Sequence, residues 1–310
     1  MPRKTAKIPA DYILPLYMNG LQGRMLRIPA TSKARREILL IYGHHASLER
    51  MWGLAEFISR YGGVTIPDLP GFGGMESFYK IGEKPTLDNL ADYLAAFIKL
   101  RYRNRRLTIM AISLGFAIVT RMLQRYPEIA KKVDLLISVS GMVNKNDFRW
   151  KRRNFIPMRW GASLFSRRLP AAFGHHLVLR GPFIRTAYHM VEKKHPKLRD
   201  AKPAQRDDRI AFEIELWKIN DLRTYMDTAV TMLKLDLGSS HVDLPVYHVA
   251  VDDDHYFDNL QVEQHMRRIY NDFYLIKTKL PAHMPTVLAT AKEAGPFIPA
   301  KIRQLLRQKV

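Results

Sequence analysis

Ser113, Asp254 and His283 supply an alcohol, a carboxylate and an imidazole, the three groups from which a nucleophilic serine is built. A serine hydroxyl is a weak nucleophile at its free pKa. It needs a base within hydrogen-bond reach, and that base needs a carboxylate to orient it. Each of the three comes after an apolar run suited to a buried strand: Ser113 after 107–112, Asp254 after 245–251 and His283 after 273–277. Parallel strands of one sheet deliver the loops at their carboxyl ends to a single edge, and active sites of open sheets lie there.

The stretch Ala111-Ile112-Ser113-Leu114-Gly115 carries the strongest signal. An apolar run enters it, and a helical pattern leaves it and ends near Pro127. A strand that becomes a helix within one residue puts that residue on a strained corner, with its side chain exposed at the sheet's edge. Ala111 and Gly115 are small, which lets the strand and helix backbones approach. The alternative reading is a serine that only caps the helix.

Other elements must position these groups. The segment 12–28 is predicted to be a β-hairpin turned by Asn19-Gly20. The run 38–42, closed by Gly43, reads as a strand buried on both faces. Ser47 then caps a helix whose Leu48, Met51, Trp52, Ala55 and Ile58 recur at helical spacing, with Gly62-Gly63 ending it. The strand 64–66 leads to Asp68-Leu69-Pro70-Gly71-Phe72-Gly73-Gly74. This glycine-rich loop has no P-loop lysine and opens into no helix, so it is not a phosphate cradle. Thr86 caps the next helix, and Val133–Val139 forms a further strand. A helix is expected around 259–270, a last strand at 273–277, and a closing helix carrying Ile298, Ile302 and Leu305. Apolar strands alternating with helices imply an α/β fold, a mostly parallel central sheet covered by helices on both faces.

The alternation stops between the strand ending near Val139 and the one starting near Pro245. The division expected is a core of 1–143 and 241–310 with a basic helical cap, 144–240, inserted over the sheet's edge and containing a helical stretch at 212–237. Trp150, Trp160 and Phe165, interleaved with arginines, are expected to pack this insertion against the core. From 149 to 200 there are 13 Lys or Arg against 2 acids, about half of the chain's net +21 over 310 residues. Such charge suits an anionic partner or a merely solvated basic surface, and net charge speaks to association rather than fold. The chain has no cysteine, which excludes disulfides and thiolate chemistry. The adjacent pairs His44-His45 and His175-His176 lack acidic neighbours and read as loop lining, so neither metal nor cofactor is expected. No apolar run reaches membrane-spanning length, and no h-region comes after the basic N-terminus. The expected location is cytoplasmic, with peripheral membrane contact through the basic cap.

Five motifs together resemble the α/β-hydrolase fold superfamily. They are Ile41-Tyr42-Gly43-His44, the loop from Asp68 to Gly73, Ala111-Ile112-Ser113-Leu114-Gly115, Val251-Asp252-Asp253-Asp254, and Ala282-His283-Met284-Pro285. Three departures stand out: Tyr42 where the family often has His, and Ala111 and Val251 where it has Gly. The resemblance implies that Ser113 attacks a carbonyl carbon, His283 moves the proton and Asp254 holds the imidazole. It also implies an oxyanion hole from the backbone N–H groups of His44 and Leu114. Three consecutive aspartates leave Asp253 open as the acid, and Asp147 is a more distant candidate, because some members place the acid after the strand that ends here near Val139.

The activity implied is serine hydrolysis of a small-molecule carboxylic ester, with an anionic or amphiphilic substrate suited to the basic insertion. Carbon–carbon bond hydrolysis and acyl transfer use the same fold and stay open. A non-catalytic scaffold binding anionic membrane or nucleic acid is the contrasting reading. The presence of all three triad candidates argues against that reading as a whole, and nucleic acid is not an expected partner.

Overall fold

The computed structural model describes residues 8–31, 36–150, 152–174, 179, 181–191, 203–279, 283 and 290–308. The first two strands, β1 (Ile13–Met18) and β2 (Leu21–Ile28), form the expected hairpin. Asn19 and Gly20 turn it with φ of 53° and 77°, values an Asn-Gly pair adopts at little cost. Then come β3 (Glu37–Ile41), α1 (Leu48–Ile58), β4 (Gly63–Pro67), α2 (Leu87–Arg101) and β5 (Leu107–Ile112). The helices α3 (Leu114–Arg125) and α4 (Pro127–Ala130) lead to β6 (Val133–Val139). Among the described residues five helices come next: α5 (Arg152–Phe165), α6 (Arg168–Phe173), α7 (Gly181–Val191), α8 (Pro203–Ile219) and α9 (Leu222–Met232). The chain closes with β7 (Val246–Val251), α10 (Asn259–Ile269), β8 (Phe273–Thr278), α11 (Ala291–Ala294) and α12 (Ala300–Arg307).

The eight strands form one sheet in the order β1-β2-β4-β3-β5-β6-β7-β8. Strand β2 runs antiparallel to both of its neighbours, and every pairing from β4 to β8 is parallel. All six residues of β5 are buried, because helices cover both faces of the sheet's centre. Helix α2 shows how sequence sets a covering element. Thr86 Oγ1 accepts the Asn89 N–H at 3.1 Å, and Leu90, Leu94, Phe97 and Ile98 turn inward. Ser47 sits at the N-cap of α1 but makes no capping bond, and α1 ends at Ser59. Gly63 opens β4 rather than closing that helix.

From β3 the chain steps through α1 to β4 on one side, then through α2 to β5 on the other. The loops leaving β3 and β5 therefore diverge from adjacent strands, and a crevice opens between them. Ile41 pairs with Ala111, which brings the loop that starts at Tyr42 level with Ser113.

The segment leaving β6 is stitched to the segment approaching β7. Lys145 N–H donates to the Leu235 carbonyl at 2.7 Å, and Leu237 N–H donates to the Val143 carbonyl at 3.1 Å. Between them lie the five helices, with a small apolar cluster of their own around Ile184, Ile210 and Ile214. The expected continuous stretch 212–237 is two helices. Asp221 Oδ1 takes the Thr224 N–H at 2.7 Å and starts α9, while Asn220 Oδ1 takes the Gly73 N–H at 2.8 Å. Short polar side chains that bond to backbone in this way interrupt a helix even where apolar spacing continues. Trp150 stacks on Phe148 at 4.5 Å and Phe165 is half-buried, but Trp160 is 72% exposed and packs against nothing in the core. No helix among the described residues is long and apolar enough to cross a membrane.

Candidate active site

Ser113 sits between β5 and α3 with φ 50° and ψ −121°, a conformation that costs a non-glycine residue of order 1–3 kcal/mol. Both neighbouring backbones crowd it. A Cβ on Gly115 would lie 2.3 Å from the Tyr42 carbonyl oxygen, so only glycine lets α3 start this close to β3. A Cβ on Gly43 would lie 3.0 Å from Ser113 Cβ, so the loop after β3 passes against the serine. Ala111 is fully buried in β5, two residues before the corner, and its methyl is accommodated there.

Asp254 comes after β7, past a turn closed by its own N–H to the Val251 carbonyl. Its Oδ2 lies 2.5 Å from His283 Nδ1. Its Oδ1 accepts the N–H groups of Tyr256 at 2.8 Å and Phe257 at 3.2 Å. Burial alone raises this carboxyl. The bond to His283 and the two backbone donors outweigh burial and hold it below the usual range. An ionised carboxylate only accepts, so Nδ1 of His283 carries a proton, and in the neutral ring Nε2 is the nitrogen that keeps a lone pair. The rings of Tyr256 and Phe257 meet His283 edge-on at 5.1 and 5.0 Å. Ser140 Oγ donates to the His283 carbonyl at 3.0 Å and ties that residue to the end of β6.

The other acid candidates are engaged elsewhere. Asp253 is exposed and pairs with Arg149 at 3.2 Å. Asp147 is buried, accepts the N–H groups of Val143 and Asn144, and holds His265 Nδ1 at 2.6 Å. Ser113 Oγ makes no hydrogen bond among the described residues, to His283 or to any other group.

The backbone N–H groups of His44 and Leu114 donate to no protein acceptor among the described residues. The His44 imidazole faces away from any charge-bearing role. Its Nε2 lies 3.0 Å from both the Tyr225 carbonyl and Thr228 Oγ1, and its ring stacks on Tyr225 at 4.1 Å. Burial pushes its pKa down to about 3, so the ring is neutral. A carbonyl only accepts, so Nε2 is the protonated nitrogen. His248 on β7 is more fully buried, bonded to Ser138 Oγ at 2.9 Å and pushed by burial to about 3. Tyr42, the departure from the family's histidine, turns its ring away from the serine. It donates to Asp68 Oδ1 at 3.0 Å and accepts the Leu69 N–H at 2.7 Å, which anchors the glycine-rich loop to β3. That loop turns at Gly71, Gly73 and Gly74, all at positive φ, and receives the α8–α9 junction through Asp221 N–H to the Gly71 carbonyl.

A cluster that sequence spacing did not indicate lies beside the His44 loop. Arg50 Nη1 donates to the His45 carbonyl at 2.8 Å, and Arg50 Nη2 lies 3.6 Å from Glu213 Oε1. His45 Nε2 lies 3.3 Å from Glu213 Oε2, and His45 Nδ1 lies 3.3 Å from Asn220 Nδ2. Arg50 and Glu213 are both buried, and Glu213 comes from α8 of the insertion. Sequence spacing gave no signal for the cluster, because Arg50 falls on the side of α1 opposite Leu48, Met51, Ala55 and Ile58. Neither His44 nor His45 has a metal-ligand neighbourhood among the described residues, and His175 and His176 lie outside those residues.

Known structures share this architecture at low sequence identity. N-formylmaleamic acid deformylase of Pseudomonas putida superposes with a TM-score of 0.61 at 17% identity, covering 87% of this chain and 94% of that one. A thermophilic esterase of Thermogutta terrifontis gives 0.59 at 16%, covering 95% and 97%. The enol-lactonase of Burkholderia xenovorans gives 0.58 at 11%, covering 86% and 91%. No match is found among curated protein sequences. The sequence model for the alpha/beta hydrolase fold spans residues 38–285, from the strand that precedes the His44 loop to the turn that carries His283, so the chain belongs to the α/β-hydrolase family.

Proposed function

We propose that this hydrolase cleaves a carboxylic ester through Ser113, His283 and Asp254. The observation that carries the reading is the 2.5 Å pairing of His283 Nδ1 with Asp254, which leaves Nε2 as the base while Ser113 sits on a strained turn at the switch point of the sheet. Ser113 Oγ attacks the ester carbonyl carbon as His283 Nε2 takes its proton. The oxyanion that forms accepts the N–H groups of His44 and Leu114. One such donor is typically worth about 10²–10³ in rate. The tetrahedral species collapses, the C–O bond breaks, and the alcohol leaves with the proton from His283. Water then attacks the acyl-serine by the same steps and releases the acid. Asp254 stays ionised throughout and stabilises the imidazolium between steps. The insertion acts as a lid, whose α8–α9 junction rests on the loops after β3 and β4. The ester reading agrees with the esterase and the enol-lactonase among the structures of similar fold, which also include a deformylase.

Labelling with a fluorophosphonate probe, combined with peptide mass spectrometry, tests the assignment. Modification of Ser113, abolished in Ser113→Ala, is the expected result. Modification of another residue, or none in the folded protein, overturns it. A series of p-nitrophenyl esters of rising acyl length then sizes the pocket.

A further inference from the structure

Helix α5 exposes Ile156, Trp160 and Leu164, spaced four apart on one face, at 59%, 72% and 50%. Helix α6 repeats the spacing with Leu169 and Phe173, exposed at 82% and 59%. Large apolar side chains presented in rows are a different matter from scattered surface residues and mark an interaction site. The surrounding charge has one sign. Between Phe148 and Val191 the sequence has nine Lys or Arg and no Asp or Glu. Arg153, Arg159, Arg167, Arg168 and Arg185 are all exposed, and no ion pair among the described residues engages them. Apolar rows flanked by unopposed cations are the composition of a helix that lies in the plane of an anionic membrane surface.

We propose that the outer face of α5 and α6 docks on an anionic lipid bilayer. The apolar rows enter the boundary between head groups and acyl chains, Trp160 at head-group depth, and the arginines meet lipid phosphates. The chemistry of the rows selects lipid over nucleic acid. Ile156, Leu164 and Leu169 have no flat face on which a base could stack, and a phosphate backbone offers them no apolar medium to enter. The proposal does not depend on the ester-hydrolase reading.

Trp160 provides the test. Of the four tryptophans it alone is exposed; Trp52, Trp150 and Trp217 are partly buried. The full-length protein is mixed with vesicles of phosphatidylcholine alone or blended with phosphatidylglycerol. Sedimentation is expected with the blend only, with a blue shift of tryptophan emission and quenching by lipids brominated on the acyl chain. Trp160→Phe abolishes the shift and keeps most of the binding. Trp160→Asp weakens binding, and Arg153→Gln with Arg159→Gln weakens it about 30-fold, each arginine near the surface being worth about fivefold. Unchanged melting of these variants shows that the fold is retained. No sedimentation with anionic vesicles overturns the proposal. So does sedimentation with unshifted emission, which means adsorption by charge alone. Binding to polyuridylate as tight as to vesicles, again without a shift, assigns the face to nucleic acid instead.

Discussion

His265 Nδ1 lies 2.6 Å from Asp147 Oδ1, so the carboxylate that comes after β6 already holds a histidine of its own. Asp254 holds His283 in the same manner at 2.5 Å, after the next strand of the sheet. The two pairs divide labour by position. Asp147 also accepts the Val143 and Asn144 N–H groups where the insertion leaves the core, so it fastens that neck. Asp254→Asn is expected to leave the protein folded and lower kcat by about 10⁴ on a p-nitrophenyl ester. Asp147→Ala is expected to cost about 3 kcal/mol of stability, through its stranded N–H groups, while kcat per folded molecule stays within a few-fold. Paired kinetic and urea-denaturation measurements separate the two.

Two glycines bound the serine with different clearances. Gly43→Ala would set a methyl 3.0 Å from Ser113 Cβ and 3.2 Å from the Ile112 carbonyl oxygen, a squeeze that small shifts can absorb. Those shifts move the nucleophile, so kcat should fall by about tenfold or more with little change in Tm. Gly115→Ala would set a methyl 2.3 Å from the Tyr42 carbonyl oxygen. Backbone cannot yield that far without separating α3 from β3, so this variant should lose several degrees of Tm.

Buried neutral histidines make stability depend on pH. In the folded chain, burial lowers His44 and His248 to about 3, whereas in the unfolded chain each titrates near 6.5. The unfolded state therefore binds more protons below pH 6.5. The stability each contributes is complete above that pH and is lost as pH falls toward 3, by roughly 1 kcal/mol per pH unit per histidine. The depressed carboxyl of Asp254 acts in the same direction, its contribution being present above pH 4 and lost further into acid. Urea midpoints should fall steadily from pH 7 to pH 4. His248→Phe should roughly halve the slope above pH 4, since Asp254 does not yet titrate there.

The central strands and the turn at Ser113 were legible because fully buried strands read as unbroken apolar runs, and because Ala111 and Gly115 mark a close approach. The features that stayed hidden depend on tertiary partners. Three consecutive aspartates carry no register, and only the turn closed on Val251 directs Asp254 rather than Asp253 inward. The break between α8 and α9 falls inside continuous helical spacing and arises from bonds that Asn220 and Asp221 make to distant backbone and to the next turn. Trp160 was expected to pack on the core, yet an aromatic residue among arginines has the same sequence signature whether it faces inward or out. Tyr42, where the family often has histidine, sends its phenol to Asp68 and the Leu69 N–H, a partnership that sequence spacing does not show.

Arg50 and Glu213 link the insertion to the loop that carries the His44 N–H. Arg50 holds the His45 carbonyl, and His45 itself adopts φ 54°, so this peptide is fixed by an outside donor rather than by its own preference. Glu213 supplies the opposing charge from α8. Removing Glu213 leaves Arg50 buried without that counter-charge, at a cost of about 3–5 kcal/mol. Glu213→Gln keeps the shape and loses the charge. It should destabilise the protein and also slow acylation, because a loop that drifts takes the oxyanion donor with it, at up to about 10²-fold. Arg50→Lys should restore part of the rate lost in Arg50→Met, since an ammonium can still donate to the carbonyl. Rates of fluorophosphonate labelling, corrected for the folded fraction, measure this. Equal labelling rates in wild type, Glu213→Gln and Arg50→Met would reduce the cluster to a structural fastening with no influence on the loop.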